Sequence, residues 1–545
     1  MPSASTTTTT VAPNSCRRVR IVASLLLTAA ALALQGTFVW HAGPLWRDEA
    51  NSANLAALGS WRAIYAHAQY DSFPLVWDLF LWLWGSAGWT SDAAIRCLGV
   101  LGGCAQLAAL WFAVRAVGIT APVVAIVLYA LVPSTVVYGT MARGYGLGAA
   151  AFLLAVGALV RCLRKPSRRN CAFLAGSCAL AVQTNFANGV LVAAALGSAA
   201  IAGWFREHDR QRLWVGLAAS LAAAVASLAL SLPWIRYAFA VGEAEQRPVG
   251  LPAVATVWLD SLTAGLPFAA ALWLIAALAL LAAVINARTR MTHDAAVLAF
   301  AALAVPACIA GFLLYFWGVA RLPSQQWHYL SLNAWLAVAG EIAVHALLAH
   351  RPRTGPFALA AFGVAGVGLG ALAAPLVAVR MTNVDVIATV LHEQASPTDL
   401  VVVVPWYCGV SFQRYYAGPA PWITLPDLDD HRFHYHLEIR AKAAQGDQGI
   451  AAERQRIVST LLSGGRVWLV GDLPAPLPGH SPPRMPPAPH PETGWRAGPY
   501  LQAWEMQIAA LLRDHGRDIF GITLPDVGPV NPWEHLPLTV IAGWQ

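Results

Sequence analysis

Two adjacent carboxylates, Asp48 and Glu49, stand in the stretch Trp46-Arg47-Asp48-Glu49-Ala50-Asn51, directly after the first long apolar run, 21–41. A run of that length crosses a hydrocarbon core of ~30 Å as a helix. A charge at the bilayer centre costs about 2.5–3.5 kcal/mol on insertion scales. The pair therefore belongs at the membrane surface, in water or in a polar cavity. Two readings are open there: a reactive acid pair, or a surface pair that ends the helix and orients the segment.

Four further stretches carry groups of the same kind. They are Tyr70-Asp71-Ser72-Phe73-Pro74-Leu75, Ser91-Asp92-Ala93-Ala94-Ile95-Arg96, Ala142-Arg143-Gly144-Tyr145 and Gln183-Thr184-Asn185-Phe186-Ala187-Asn188. Each has a local alternative. Asp71 can cap a helix that starts at Pro74. Arg96 can snorkel or pair with Asp92, four residues earlier on a helix face. Asn185 and Asn188 can satisfy a tight turn between helices, and Arg143 can pair with an acid. Arg143 nevertheless breaks an apolar stretch beside Ala142, Gly144 and Gly146, and a guanidinium matches a phosphate bidentately. His328 and Tyr329 open a later span beside Arg321 and Gln325-Gln326, and are candidates for the same cavity. His431, His434 and His436 suggest either a metal site or, more simply, alternation along a polar loop. No HExxH, GxSxG, P-loop or GxGxxG pattern is present, which leaves zinc-protease, serine-hydrolase and nucleotide chemistry without support.

The elements that must position these groups are membrane helices. Of 545 residues, 57% are hydrophobic and 12% charged, whereas soluble chains carry about 25% charged residues. The chain is therefore a polytopic α-helical membrane protein. Its net charge of +7 lies mostly in short loops, where it sets topology, so no nucleic-acid partner is implied. The eight cysteines form no CxxC pair, and neither a disulfide framework nor a zinc knuckle is expected. Residues 1–16 read as a disordered, Thr-rich tail. Arg17-Arg18-Arg20 precede the first run, and Ala31-Leu32-Ala33 resembles a cleavage site. The run continues through Trp40, so an uncleaved signal anchor is preferred.

Eleven apolar runs have spanning length: 21–41, 94–114, 121–139, 143–161, 171–187, 188–205, 213–239, 264–287, 295–317, 329–349 and 356–379. Placing the basic clusters at Arg17, Arg161, Arg206, Arg288 and Arg351 in the cytoplasm puts the N-terminus inside and loop 42–93 outside. It puts the chain beyond 380 outside as well. The parity works only if 74–89, short and rich in Trp, lies at the outer interface instead of crossing. All five polar stretches then share one membrane face. Residues 17–379 form the transmembrane part. Residues 380–545 alternate helices (Val384–Gln394, 450–462, 501–515) with short apolar strands (399–404, 466–470, 538–542), which predicts an extracytoplasmic α/β domain.

An acidic pair after the first span, then Asp-x-x-Pro-Leu, Ser-Asp-x-x-x-Arg, Ala-Arg-x-Tyr and Gln-Thr-Asn-Phe: this order resembles the membrane glycosyltransferases of the GT-C fold, in the protein-O-mannosyltransferase / aminoarabinose-transferase-like group. The motifs cover residues 17–210, and the rest follows more loosely. Gln326-Trp327-His328-Tyr329-Leu330 looks like the group's late Arg-Tyr-Leu element without its Arg, and 399–416 is similar to its outer domain. The resemblance implies a hexosyl- or pentosyltransferase in a bacterial inner membrane. It would move a sugar from a polyprenyl-phosphate donor to a lipid, glycan or protein acceptor on the extracytoplasmic face. It makes Asp48 the general base, Glu49 its support or a substrate ligand, and Asp71 the second acid of the pocket. Arg143 and Tyr145 would hold the lipid phosphate. Arg96, Asn185, His328 and Tyr329 are the further candidates for substrate binding. The group's metal-binding His has no match in loop 241–262, which holds Glu243, Glu245 and Asp260, so no metal ligand is assigned and a divalent ion stays an open alternative. Two other functions fit the same composition: a transporter or flippase of a lipid-linked or small anionic substrate, with the acids as a proton relay, and a GT-C-like scaffold without activity.

Overall fold

In the computed structural model, the described residues are 14–204, 209–245, 249–287, 295–349, 351, 353–477 and 480–545. The basic positions Arg206, Arg288 and Arg290 lie outside them. Helix α1 (Asn14–His41) contains the first apolar run and takes in residues 14–16, which the sequence placed in a disordered tail; residues 1–13 of that tail lie outside the described residues. Three short helices follow, α2 (Arg47–Ala57), α3 (Trp61–His67) and α4 (Leu75–Ser86). The 12 residues of α4 reach only about 18 Å, too short to cross a hydrocarbon core. Helix α5 (Asp92–Ala116) is opened by the Ser91 side chain, which accepts from the Ala94 N–H.

The next run is apolar enough to span but is not one helix. A single π-helical turn covers Ile126–Ala130, and α6 (Pro133–Thr140) starts afresh after it. Pro133 has no N–H to give the preceding turn, so the helix must break. Every residue from 121 to 146 is buried, and broken backbone at membrane depth is tolerated only inside protein. Its polar groups are met by side chains. Glu341 Oε2 accepts the N–H groups of Val123 and Ala125 at 2.8 and 3.0 Å. Arg20 donates to Glu341 and, at 3.1 Å, to the Ala121 carbonyl.

Helix α7 (Tyr145–Arg164) runs through the middle of the bundle. Helices α8 (Arg168–Thr184) and α9 (Asn188–Trp204) are 17 residues each. The expected span at 213–239 is divided into α10 (Arg210–Ala229) and α11 (Leu232–Glu245), where Pro233 interrupts the hydrogen-bond ladder. Gln183 bridges the division, donating to the Ser227 carbonyl and accepting from the Ser231 hydroxyl. Helices α12 (Leu251–Thr263), α13 (Pro267–Ala287), α14 (Ala295–Leu314), α15 (Leu330–Leu348) and α16 (Gly355–Val377) complete the bundle. Among the described residues, eight helices are long and apolar enough to cross a membrane. Of the eleven apolar runs, 121–139 is broken, and the helices at 171–187 and 188–205 are 17 residues each.

The chain beyond 380 is α/β. In order it forms α17 (Val384–Gln394), β1 (Leu400–Val403), α18 (Gly409–Tyr415), β2 (Trp422–Thr424), α19 (His436–Ala443), α20 (Ala451–Leu462), β3 (Arg466–Val470), α21 (Ala497–His515), β4 (Gly516–Ile522) and β5 (Leu538–Trp544). The sheet order is β2-β1-β3-β5-β4, with β2, β1 and β3 parallel and β5 antiparallel to both neighbours. Val402 lies opposite both Ile423 and Leu469, and Trp468 opposite Val540. Val401, Val403 and Trp468 pack on one face, and Leu400, Val402 and Leu469 on the other. The domain docks through Asp92, which accepts from Arg414 Nη2 and the Tyr415 hydroxyl, each at 2.6 Å. The Tyr415 oxygen in turn accepts the Leu45 N–H at 2.7 Å.

Candidate active site

Asp48 and Glu49 lie in the first turn of α2, where the exposed N–H groups and the helix dipole favour negative charge. Successive side chains on a helix diverge by about 100°, so three neighbours take three directions. The backbone N–H of Arg47 donates to Glu534 at 2.9 Å, and its guanidinium to the Trp533 carbonyl at 2.8 Å. Glu49 turns inward and is fully buried, receiving Arg96 and, at 2.8 Å, the Ala142 N–H. Burial raises its proton affinity, and Arg96 and that N–H offset part of the rise. The local alternative for Arg96 is therefore replaced: Asp92 is taken by Arg414 and Tyr415, and Arg96 reaches Glu49 and the Pro44 carbonyl. Neither Glu49 nor Arg96 faces open space.

Asp48 points between them. Its side chain keeps 21% of its surface accessible, against none for Glu49 and Asp71. Among the described residues no hydrogen bond reaches its carboxylate, and the nearest cation, Arg47 Nε, stands 3.8 Å away. Burial pushes its pKa up, but the guanidinium charges of Arg143 first and then Arg47 outweigh that and hold it below the usual carboxylate value. Asp48 is thus ionised and has free lone pairs.

Arg143 sits in the break between α6 and α7, at the centre of the cluster. Its Nη1 donates to Asp71 at 2.6 Å, to the Ser52 hydroxyl at 3.0 Å and to the Asp48 carbonyl at 3.1 Å. The Ser52 hydroxyl also donates to Asp71 at 3.1 Å, and Asp71 accepts the Ser72 N–H at 2.7 Å. Asp71 is therefore not the cap of α4; Pro74 occupies that position. The guanidinium lies 4.8 Å over the Phe73 ring, and its Nε is buried without a partner. Burial disfavours its charge, but Asp71 and Asp48 more than restore it. Tight packing requires the flanking glycines. A Cβ on Gly144 would meet Phe73 at 2.7 Å, and one on Gly146 would meet the Gly139 carbonyl at 2.1 Å.

An aromatic wall closes the site. Tyr145 meets Phe73 edge-on at 4.7 Å and Trp327 at 6.3 Å, and Trp327 in turn meets Trp46 at 6.0 Å. His328 lies 6.3 Å from Tyr145, with Nδ1 accepting the Gln325 N–H at 3.0 Å. Two predicted residues are engaged elsewhere. The Tyr329 hydroxyl is used by Ser324 at 2.8 Å and the Val254 carbonyl at 3.2 Å. Asn185 accepts the Ala187 N–H at 3.0 Å, and Asn188 donates to the carbonyls of Gly148 and Ala181, which is the turn-satisfying alternative. Conversely, Asn51, Ser52, Asp78 and His434 join the cluster without having been singled out for it. Ser52 lies four residues after Asp48 on α2, a spacing that does mark a shared face. Asn51 accepts the His434 N–H at 3.2 Å, and Asn54 donates to the Arg432 carbonyl at 2.8 Å, which pins a loop of the C-terminal domain onto α2. His434 has its Nε2 buried without a partner, and burial holds its pKa down to about 3, so the ring is neutral.

Among the described residues no three His, Cys, Asp or Glu side chains converge as metal ligands. Glu49 and Asp71 are engaged by arginines, and Glu243 pairs with Arg440 at 2.9 Å.

By sequence, no protein-family model and no curated protein matches the chain. By structure, it is similar to ArnT from Cupriavidus metallidurans in the apo state, with a TM-score of 0.52 at 13% identity over 96% of this chain and 99% of that one. It is also similar to the Archaeoglobus fulgidus oligosaccharyltransferase in the apo form, with a TM-score of 0.52 at 12% identity over 84% of this chain and 69% of that one. The same archaeal enzyme, AglB, in complex with an inhibitory peptide and a dolichol-phosphate, matches with a TM-score of 0.50 at 11% identity over the same shares. The chain has the GT-C fold.

Proposed function

We propose that the chain is a multi-pass membrane glycosyltransferase. It moves a hexosyl or pentosyl group from a polyprenyl-phosphate carrier to a lipid, glycan or protein acceptor on the extracytoplasmic face. The transmembrane part is 17–379, the N-terminus is cytoplasmic, and the domain 380–545 lies outside. The observation that carries the reading is the contrast among three acids. Glu49 and Asp71 are sealed and paired, whereas Asp48 is accessible, ionised and, among the described residues, free of hydrogen bonds. The dolichol-phosphate held by the archaeal neighbour supports the choice of carrier.

Asp48 takes the proton of the acceptor O–H or N–H as that atom bonds to the sugar C1. The bond from C1 to the phosphate oxygen breaks, and its electron pair leaves on the lipid phosphate. Arg143 compensates that charge, with its unpartnered Nε N–H free to donate. An anionic phosphate beside Arg143 also draws on the positive charge that holds Asp48 low, which strengthens Asp48 as a base once the donor is bound. A proton-relay transporter finds less support: Glu341, an acid within a span, is engaged by Arg20 and two backbone N–H groups.

The test is transfer from radiolabelled polyprenyl-phosphate sugars to an envelope extract by purified protein. Asp48→Asn removes the base and is expected to lower transfer by about 10²–10⁴-fold with folding unchanged. Full activity in that variant would sink the assignment.

A further inference from the structure

Helices α1 and α16 pack in parallel. A Cβ added at Gly355 would stand 3.8 Å from the Cys16 Sγ, one at Gly363 3.5 Å from the Ala23 Cβ, and one at Gly366 2.5 Å from Leu27, so contacts advance together along both helices. Their far ends meet where the Met381 N–H donates to the Ala42 carbonyl at 2.9 Å. Between them lies a groove that runs from Arg18 to Leu27 on α1 and from Ala360 to Gly368 on α16. At about 690 Å³ it is of ligand size, since small-molecule pockets hold about 300–1,000 Å³. Gly363 and Gly368 keep its floor low, and Val22, Leu26, Val364 and Val367, each more than half exposed, form its rims. Apart from Arg18, its lining is apolar. From Arg18 to Leu27 a helix rises about 14 Å, half of a ~30 Å hydrocarbon core. The groove therefore matches one leaflet, at the end of α1 away from Asp48.

The mouth of the groove is basic. Arg17 and Arg18 lie in the first turns of α1, and Arg351 and Arg353 lead into α16, whose Gly355 faces Cys16. All four are exposed, and among the described residues none of their guanidiniums has a partner. No acid stands in 1–47 or in 342–384 to balance them. Clustered guanidiniums beside a membrane helix attract anionic headgroups, and each can grip a phosphate through two N–H groups. We propose that the groove binds one anionic phospholipid, with an acyl chain between α1 and α16 and the headgroup phosphate on these arginines. A second copy of the chain packed in parallel on the same seam would bring four more arginines to it, a like-charge contact that the lipid avoids. The site is distinct from Arg143, which lies beyond the other end of α1, and it does not rest on the transfer reading. Its place in the fold gives it a use. Helix α1 leads to α2 and helix α16 to the C-terminal domain, so the lipid fastens together the two helices whose far ends carry the two sides of the candidate active site.

The probes are dioleoyl phosphatidylglycerol and dioleoyl phosphatidylcholine, added to delipidated full-length protein in detergent and counted by native mass spectrometry. The wild type is expected to retain one phosphatidylglycerol per chain, at least about tenfold more tightly than phosphatidylcholine. Arg18→Gln should lower phosphatidylglycerol affinity about fivefold, the effect of one basic residue at a charged lipid surface, and leave phosphatidylcholine unchanged. Gly368→Leu should abolish retention by filling the groove; a Cβ there meets nothing within 4 Å, so the substitution needs no repacking. Equal retention of the two lipids by the wild type overturns the proposal, a result that depends on no variant. Phosphatidylglycerol binding that ignores both substitutions places the lipid elsewhere and overturns it too. So does a dimer that Gly368→Leu dissociates, which would give the groove to a second copy of the chain.

Discussion

Replacing Arg96 by Met tests the least visible part of the site. Glu49 is fully buried, and only one of its oxygens is engaged, by Arg96 and the Ala142 N–H; the other has no partner. Removing the arginine leaves a buried carboxylate with a single backbone donor. Breaking one side of a buried pair costs about 3–5 kcal/mol, whereas exchanging both partners for apolar groups of similar volume is often neutral. Arg96→Met should therefore destabilise the protein by roughly 3–5 kcal/mol, and Glu49→Leu with Arg96→Met should recover most of that loss. The sign with pH follows. Without Arg96, Glu49 gains proton affinity beyond its already raised value, so the folded variant binds a proton that the unfolded chain has released. Its stability deficit is largest at pH 8 and shrinks toward pH 5. Because Glu49 also holds Ala142, the residue before Arg143, the single variant should lose undecaprenyl phosphate binding as well. Denaturant unfolding of the four proteins of the double-mutant cycle gives the coupling. An Arg96→Met protein as stable as the wild type, or one with the same deficit at both pH values, would show that the pair is not buried as described.

Two other outcomes are expected. His434 is neutral across pH 5–8 and offers an unpartnered Nε2 beside Asp48, so His434→Gln, which keeps a polar atom there, should retain more transfer than His434→Phe, with neither variant changing the pH profile of the rate between 5 and 8; equal loss in both would deny the ring nitrogen a role. Tyr415→Phe removes hydrogen bonds to Asp92 and the Leu45 N–H and should weaken domain docking by roughly 1.5–3 kcal/mol, the range for a bond to a charged group, read as faster amide exchange over residues 42–46 and 409–415.

The convergence of Asp48, Glu49, Asp71, Arg96 and Arg143 was legible in the sequence as a shared membrane face, before any contact among them could be named. Charges are rare in apolar runs, and the positive-inside rule assigns them a side. Their pairings were not legible. Arg96 and Asp92 satisfy the helix spacing for an ion pair, yet each finds a stronger partner, Glu49 for one and Arg414, 322 residues away, for the other. The 121–139 run shows the same limit. Hydropathy sees its length and cannot see that Pro133 and the buried Glu341 together break it. In the C-terminal domain, strand β2 is three residues between prolines, and β4 is an edge strand that opens on Gly516-Arg517-Asp518 and is interrupted by Gly521; neither shows the apolar run that reveals β1, β3 and β5.

The position of Asp48 is therefore not a property of its own helix. At 11 residues, α2 is below the length at which a helix holds itself in water. Its geometry comes from groups scattered along the chain: Arg96 and Ala142 on Glu49, Arg143 on the Asp48 carbonyl, His434 on Asn51, Arg432 on Asn54 and Glu534 on Arg47. Half of these contacts are made by the membrane part and half by the C-terminal domain. A carboxylate held in this way keeps its direction only while both parts are docked. This explains why the polar residues with no chemistry of their own, Asn51, Asn54 and Tyr415, lie at the seam between them.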